Sequence, residues 1–174
     1  MSIESIIFII VYILIAIYVL LFIMNIAFIK VFLKKFREHK HALNIALTEK
    51  YEVISRLIDL ANKNGVTLEQ NYLDLFNEIK TIDFVSFETE ICEKSKNSLA
   101  VLKQEIIGAC KNSSSIQNDD EYKNYVEELN MLDNQIRYLV VSYNADVIGY
   151  NYWIHFKPFN YIFHLMGVKE KNIK

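Results

Sequence analysis

From Ser5 to Ile29 the chain runs twenty-five residues without a charge, and Lys30, Lys34, Lys35, Arg37 and Lys40 then follow within eleven. Beyond this junction the apolar positions become periodic. Phe36, Leu43, Leu47, Ile54, Leu57 and Ala61 recur at steps of three, four and seven, with Glu38, Lys40, Glu49, Glu52 and Arg56 between them. That is the pattern of an amphipathic helix. No breaker separates it from the uncharged run, so one long helix is predicted to reach Asn64-Gly65, where glycine suits a left-handed C-cap. Thr67 and Gln70 offer a capping box for a second helix with the stripe Tyr72, Leu75, Phe76, Ile79 and Ile82. Asp83 and Ser86 mark a break or kink, and the stripe resumes with Ile91, Leu99, Leu102, Ile106 and Ala109. Lys111 to Asn118 reads as a loop around Asn112-Ser113-Ser114-Ser115. Asp119 and Asp120 then place negative charge where a helix start favours it. The last stripe is the cleanest: Tyr122, Val126, Leu129, Leu132, Ile136, Leu139, Tyr143, Val147, Tyr150 and Ile154, about nine turns of a helix facing a bundle seam. Pro158 is predicted to end it, and the aromatic tail Phe159, Tyr161, Ile162 and Phe163 follows. Long helices with short connections pack as antiparallel neighbours.

The uncharged run has the length of a membrane span. A helix needs about 20 residues at about 1.5 Å each to cross a hydrocarbon core of about 30 Å. Most of its side chains are Ile, Leu, Val or Phe, which outweigh Asn25 and the hydroxyls of Tyr12 and Tyr18. A cleaved signal peptide would need a basic start, an apolar stretch of about 7–15 residues and a small-residue cleavage site. The leading Met1-Ser2-Ile3-Glu4 and the segment Lys30 to Phe36 supply none of these, so an uncleaved anchor is expected. Lys and Arg stay on the cytoplasmic side, and all the nearby ones lie after the span. Residues 1–4 are therefore expected outside the cell membrane, 5–29 within it, and 30–174 as a cytoplasmic helical bundle. The basic cluster would also attract anionic headgroups, at roughly 1 kcal/mol per residue close to the surface.

Composition narrows the picture further. About 140 residues beyond the anchor suffice for one domain with a core. One Pro and four Gly among 174 residues argue against a turn-rich β fold. The expected class is all-α: an N-terminal transmembrane helix continuing into an antiparallel three- to four-helix bundle. After residue 40 the chain carries 14 Lys and Arg against 19 Asp and Glu, a balance that disfavours a nucleic-acid partner. Cys92 and Cys110, if on one helix, lie roughly 27 Å apart at about 1.5 Å per residue, too far for a disulfide. Unpaired thiols fit a reducing compartment.

Catalytic groupings are sparse. His39 and His41 point to different helix faces, and His155 and His164 have no acidic or thiol neighbours at metal-ligand spacing. Neither cysteine adjoins a histidine, no glycine-rich loop could cradle phosphate, and Asp119-Asp120-Glu121 lacks the alternation of a calcium loop. No cofactor is expected. The candidate surface is the pair Tyr143-Asn144 and Tyr150-Asn151, one heptad apart and so on one helix face. It reads either as a ligand or partner surface, or as seam tyrosines flanked by asparagines that hydrogen-bond a neighbouring helix. The tyrosines' place on the apolar stripe favours the seam.

Several segments carry a family resemblance. Asp133-Asn134-Gln135-Ile136, the two Tyr-Asn dyads with Val147 between them, Phe156-Lys157-Pro158 and Gly167-Val168-Lys169-Glu170 resemble the C-terminal signature of the LemA family. Leu47 to Leu57, with Tyr51-Glu52-Val53-Ile54, resembles that family's stretch after its anchor, and Asn118 to Leu129 the entry to its last helix. Ser55, Arg56 and Gln135 depart from the pattern. The resemblance implies an N-terminal anchor followed by an antiparallel helical bundle, and no established activity. The expected role is a membrane-anchored interaction or scaffold module rather than an enzyme, with the bilayer and an unidentified protein as partners and at most weak self-association. The alternative is a ligand-responsive sensor or regulatory bundle with its site near the dyads.

Overall fold

The computed structural model describes residues 3–80, 89–157 and 159–173, with backbone alone for 89–92. Ile82, Asp83, Ser86 and Pro158, and the side chains of Ile91 and Cys92, lie outside the described residues, so the predicted break and the proline stop do too. The described residues form six helices and no strand: α1 (Ile3–Lys63), α2 (Gln70–Lys80), α3 (Thr89–Cys110), α4 (Ser114–Gln117), α5 (Asp120–Ile154) and α6 (Asn160–Leu165). The fold is all-α, and its first helix is long and apolar. The chain divides into two units, one of residues 1–38 and 143–173, the other of 39–142.

The second unit holds the larger core. Leu43, Leu47, Ile54, Leu57 and Ala61 of α1 are buried, as are Leu99, Leu102 and Ile106 of α3 and Tyr122, Leu129, Leu132, Ile136 and Leu139 of α5. These are the stripe positions that periodicity marks, and α2 adds Ile79. Tyr51 stacks on Phe76 with ring centroids 4.8 Å apart. Helix α1 stops in a Schellman motif. The Val66 N–H reaches the Ala61 carbonyl at 2.9 Å, the Gly65 N–H reaches Asn62 at 3.0 Å, and Gly65 has φ 74°. Only glycine adopts that φ without steric cost.

Two local expectations need correction. Helix α2 begins at Gln70, not directly after Thr67, and the Gln70 amide donates forward to Asp74 at 2.9 Å rather than closing a capping box. The segment read as a loop contains a helical turn, α4. Its Ile116 is fully buried, and the Gln117 amide donates to the Cys110 carbonyl at 3.2 Å. One apolar anchor and one side-chain bond outweigh the turn preference of the serines around them. Asp119 caps α5 as expected in charge, its carboxylate accepting the Glu121 N–H at 2.8 Å.

In the first unit, residues 3–21 of α1 are all exposed, whereas Phe22, Ile26, Ile29, Phe32, Leu33 and Phe36 pack against Val147, Tyr150, Ile154, Phe159 and Phe163. Gly149 lies mid-helix, where glycine costs about 1 kcal/mol relative to alanine. A Cβ there would stand 2.7 Å from the Phe32 ring, so the missing side chain admits that ring. Helix α6 ends in a second Schellman turn, at Gly167 (φ 72°), with the Val168 N–H on the Phe163 carbonyl at 3.0 Å.

Candidate functional site

Heptad spacing on α5 puts the two phenols on either side of one ring of α1. The Phe36 centroid lies 5.5 Å from Tyr143 and 5.4 Å from Tyr150. Tyr150 is buried and Tyr143 half-buried. Burial pushes both phenols above their ordinary pKa, because the phenolate would lose solvation. They remain neutral donors at physiological pH.

The second dyad is occupied by the chain's own tail. The Tyr150 hydroxyl donates to the Lys169 carbonyl at 3.1 Å. The Asn151 amide nitrogen donates to the Lys171 carbonyl at 2.9 Å, and its oxygen accepts the Lys171 N–H at 3.1 Å. One side chain thus satisfies both backbone groups of one tail residue, as a neighbouring strand would. The His155 imidazole lies 2.7 Å from the Glu170 carboxylate, both well exposed. Asn144 is half-buried and has an interaction within the chain. Sequence reasoning placed the dyads on one face but missed the tail that covers the second. The turn at Gly167, which reverses the chain, was the available signal. Replacing Asn151 by alanine is expected to leave α5 intact and free the tail, at about 1 kcal/mol. Amide exchange at Lys171 should accelerate while that of Val147 does not.

Two cavities accompany these elements. In the first unit, one of about 490 Å³ lies among Ile154, His155, Asn160, His164, Lys169 and Glu170. Neither Asn144 nor Asn151 lines it. In the second unit, one of about 340 Å³ combines Lys50, Asp133, Lys96 and Arg137 with the apolar Ile136, Val140 and Val141. Lys50 is paired with Asp133, so Lys96 and Arg137 are the cations left to meet an acidic group carrying an apolar portion.

Beside that second cavity is a charge cluster the periodic pattern hid. Lys50 occupies a core position of α1, with its side chain 3% exposed, and its ammonium lies 2.6 Å from Asp133 of α5. Lys103 of α3 donates to the other Asp133 oxygen at 2.5 Å and to Asn130 at 2.7 Å. Burial pushes the Asp133 carboxyl up, but the hydrogen bonds and charges of Lys103 and Lys50 outweigh it and hold it below the ordinary value.

Of the basic cluster after the uncharged run, Lys30, Lys34, Lys35, Arg37 and Lys40 are all exposed. Lys34 pairs with Glu38 at 3.6 Å and Lys35 with Asp146 at 3.4 Å. The exposed Lys34 pair is worth little and leaves that lysine available to other anions, whereas the Asp146 side chain is only 12% exposed and holds Lys35 more firmly. Among the described residues no three His, Cys, Asp or Glu side chains gather as a metal site would require. Cys110 is buried, which pushes its thiol up and away from the reactive thiolate. In comparisons with known proteins the chain matches no family model, no curated protein and no solved structure.

Proposed function

We propose that this chain is a single-pass membrane protein, of the kind its resemblance to the LemA family suggests. Its N-terminus lies outside, and an antiparallel bundle of three to four long helices at the cytoplasmic face binds protein partners. The observation that carries this is the division of α1. Its residues 3–21 are exposed and, Glu4 and Ser5 aside, almost wholly apolar, while its later half is buried in the core of the second unit. An exposed surface of that size, long enough for a span, has no place in water. Protein binding is favoured by the exposed Met131, Tyr138 and Val141 of α5, which supply apolar contact area. A second reading, a ligand-responsive bundle, is favoured by the cavity where Lys96 and Arg137 adjoin the Lys50–Asp133 pair. It would place the site there rather than at the Tyr-Asn dyads.

Topology is the first test. With Cys92 and Cys110 replaced by alanine, a cysteine at the exposed position Ser114 should resist an impermeant maleimide in intact cells and react once the membrane is opened. Labelling in intact cells would reverse the orientation. Photo-crosslinkers at Met131 and Tyr138 in the native membrane, read by mass spectrometry, should then yield a discrete adduct with a cytoplasmic or membrane protein. Adducts with lipid alone would remove the partner-binding reading.

A further inference from the structure

We propose that the C-terminal aromatic segment, residues 152–157 and 159–166, is a second membrane element, seated in the cytoplasmic headgroup and acyl boundary beside the span. The inference rests on the reading of residues 5–29 as that span and adds a lipid-binding surface to it. Its starting point is depth. The Phe159 ring lies 5.0 Å from Tyr18 and 5.4 Å from Phe22, and Trp153 stacks on Phe28 at 4.6 Å. All three partners belong to the uncharged run. Twenty residues counted from Ser5 cover about 30 Å and end at Met24, the shallowest placement of the inner boundary. Tyr18 is then about 9 Å inside it and Phe22 about 3 Å inside, at about 1.5 Å per residue. Placing the boundary at Ile29 only deepens both. The Phe159 ring, which touches Tyr18 and Phe22, therefore reaches about 3–9 Å below the inner boundary even in the shallowest placement, a depth that overlaps the roughly 5–10 Å of interfacial helices.

Chemistry agrees with that depth. Between Val147 and Val168 the chain contains no Asp or Glu. It does contain Tyr152, Trp153, Phe156, Tyr161 and Phe163, the aromatic types enriched where one end of a side chain is apolar and the other wet. Tyr161 is 76% exposed and Leu165 86%. They belong to the element whose Phe159 and Phe163 rest on Phe22 of the uncharged run. Lys157, Lys30 and Lys34 are exposed around this surface, where anionic headgroups would meet them. The occupant is the bilayer itself, because the segment packs directly on Tyr18, Phe22 and Phe28 of a run that already requires lipid. A water-facing tail would instead strand Leu165, Met166 and Tyr161 on the protein's exterior.

Trp153 is the only tryptophan, so its emission reports on this segment alone. The full-length protein is reconstituted into vesicles of phosphatidylcholine and phosphatidylglycerol, with or without bromine on the acyl chains. A companion variant, Trp153→Phe with Tyr12→Trp, places the probe within the span. Both probes should lose emission in brominated lipid, and Trp153 should resist aqueous iodide. In the doubly substituted Tyr161→Asp, Leu165→Asp protein, whose changes touch exposed positions only, Trp153 should regain emission and become accessible to iodide. Loss of emission from the Tyr12→Trp probe but not from Trp153 would overturn the second element and leave the anchor standing. No loss from either would overturn both.

Discussion

Replacing Tyr150 with alanine is expected to lower the stability of the first unit by about 3 kcal/mol or more, the range for deleting a buried aromatic side chain. Tyr150 is 3% exposed and stands edge-on to Phe36, so truncation opens a void that rigid helices cannot close. Tyr150→Phe keeps the volume and forfeits the hydroxyl bond to the Lys169 carbonyl, at about 1 kcal/mol. Tyr143→Ala should cost less than Tyr150→Ala, because Tyr143 is only half-buried. Thermal unfolding of the full chain in detergent micelles, followed by the emission of Trp153, measures all three. If Tyr143→Ala and Tyr150→Ala both unfold like the parent, the tyrosines are not seam residues and the dyads become the leading ligand surface.

Periodicity made the seam legible because it records which face of a helix is buried, and ten stripe positions of α5 left little ambiguity. It does not record what lies opposite. Phe22, Ile26 and Ile29 pack against protein while residues 3–21 are exposed, yet both sets look alike in sequence, since lipid tails are as apolar as leucine. The aromatic tail therefore read as an appendage, although its rings rest on Tyr18 and Phe22. Asn25 shows the same limit. It reads as a tolerated polar residue in the span, but its side chain is buried and neither amide atom has a hydrogen-bond partner among the described residues. Removing such an amide tends to stabilise rather than weaken.

Lys50 was hidden for a different reason. It falls seven residues after Leu43 and seven before Leu57, on the stripe itself, but stripe reading passes over charges. A lysine at a core position implies a buried anion, and no local spacing could say which acid supplies it. The anion is Asp133, within the segment that resembles the LemA signature. Asp133 thus does structural work that its spacing does not reveal.

That work predicts an asymmetry between the partners. Asp133→Asn leaves the Lys50 ammonium buried without its counter-ion and deprives Lys103 as well. Breaking a buried pair from one side costs about 3–5 kcal/mol. The Asp133 side chain is 38% exposed, so solvent screening reduces the expected loss to about 2–3 kcal/mol. Lys50→Met should be nearly neutral by contrast, because a flexible apolar chain fills the same channel and Asp133 keeps its bond to Lys103. Protonating Asp133 mimics the asparagine. Its folded pKa is depressed, so its contribution is complete above the ordinary carboxylate value of about 4 and is lost as pH falls through the lower folded value. The parent should therefore lose more stability between neutral pH and strong acid than Asp133→Asn does, and Lys50→Met should retain part of that acid sensitivity through Lys103. Denaturation midpoints from far-ultraviolet circular dichroism across that interval measure the difference. Equal losses for parent and Asp133→Asn would mean that the cluster contributes nothing, and Lys50→Met falling as far as Asp133→Asn would mean that the lysine, not the carboxylate, organises it.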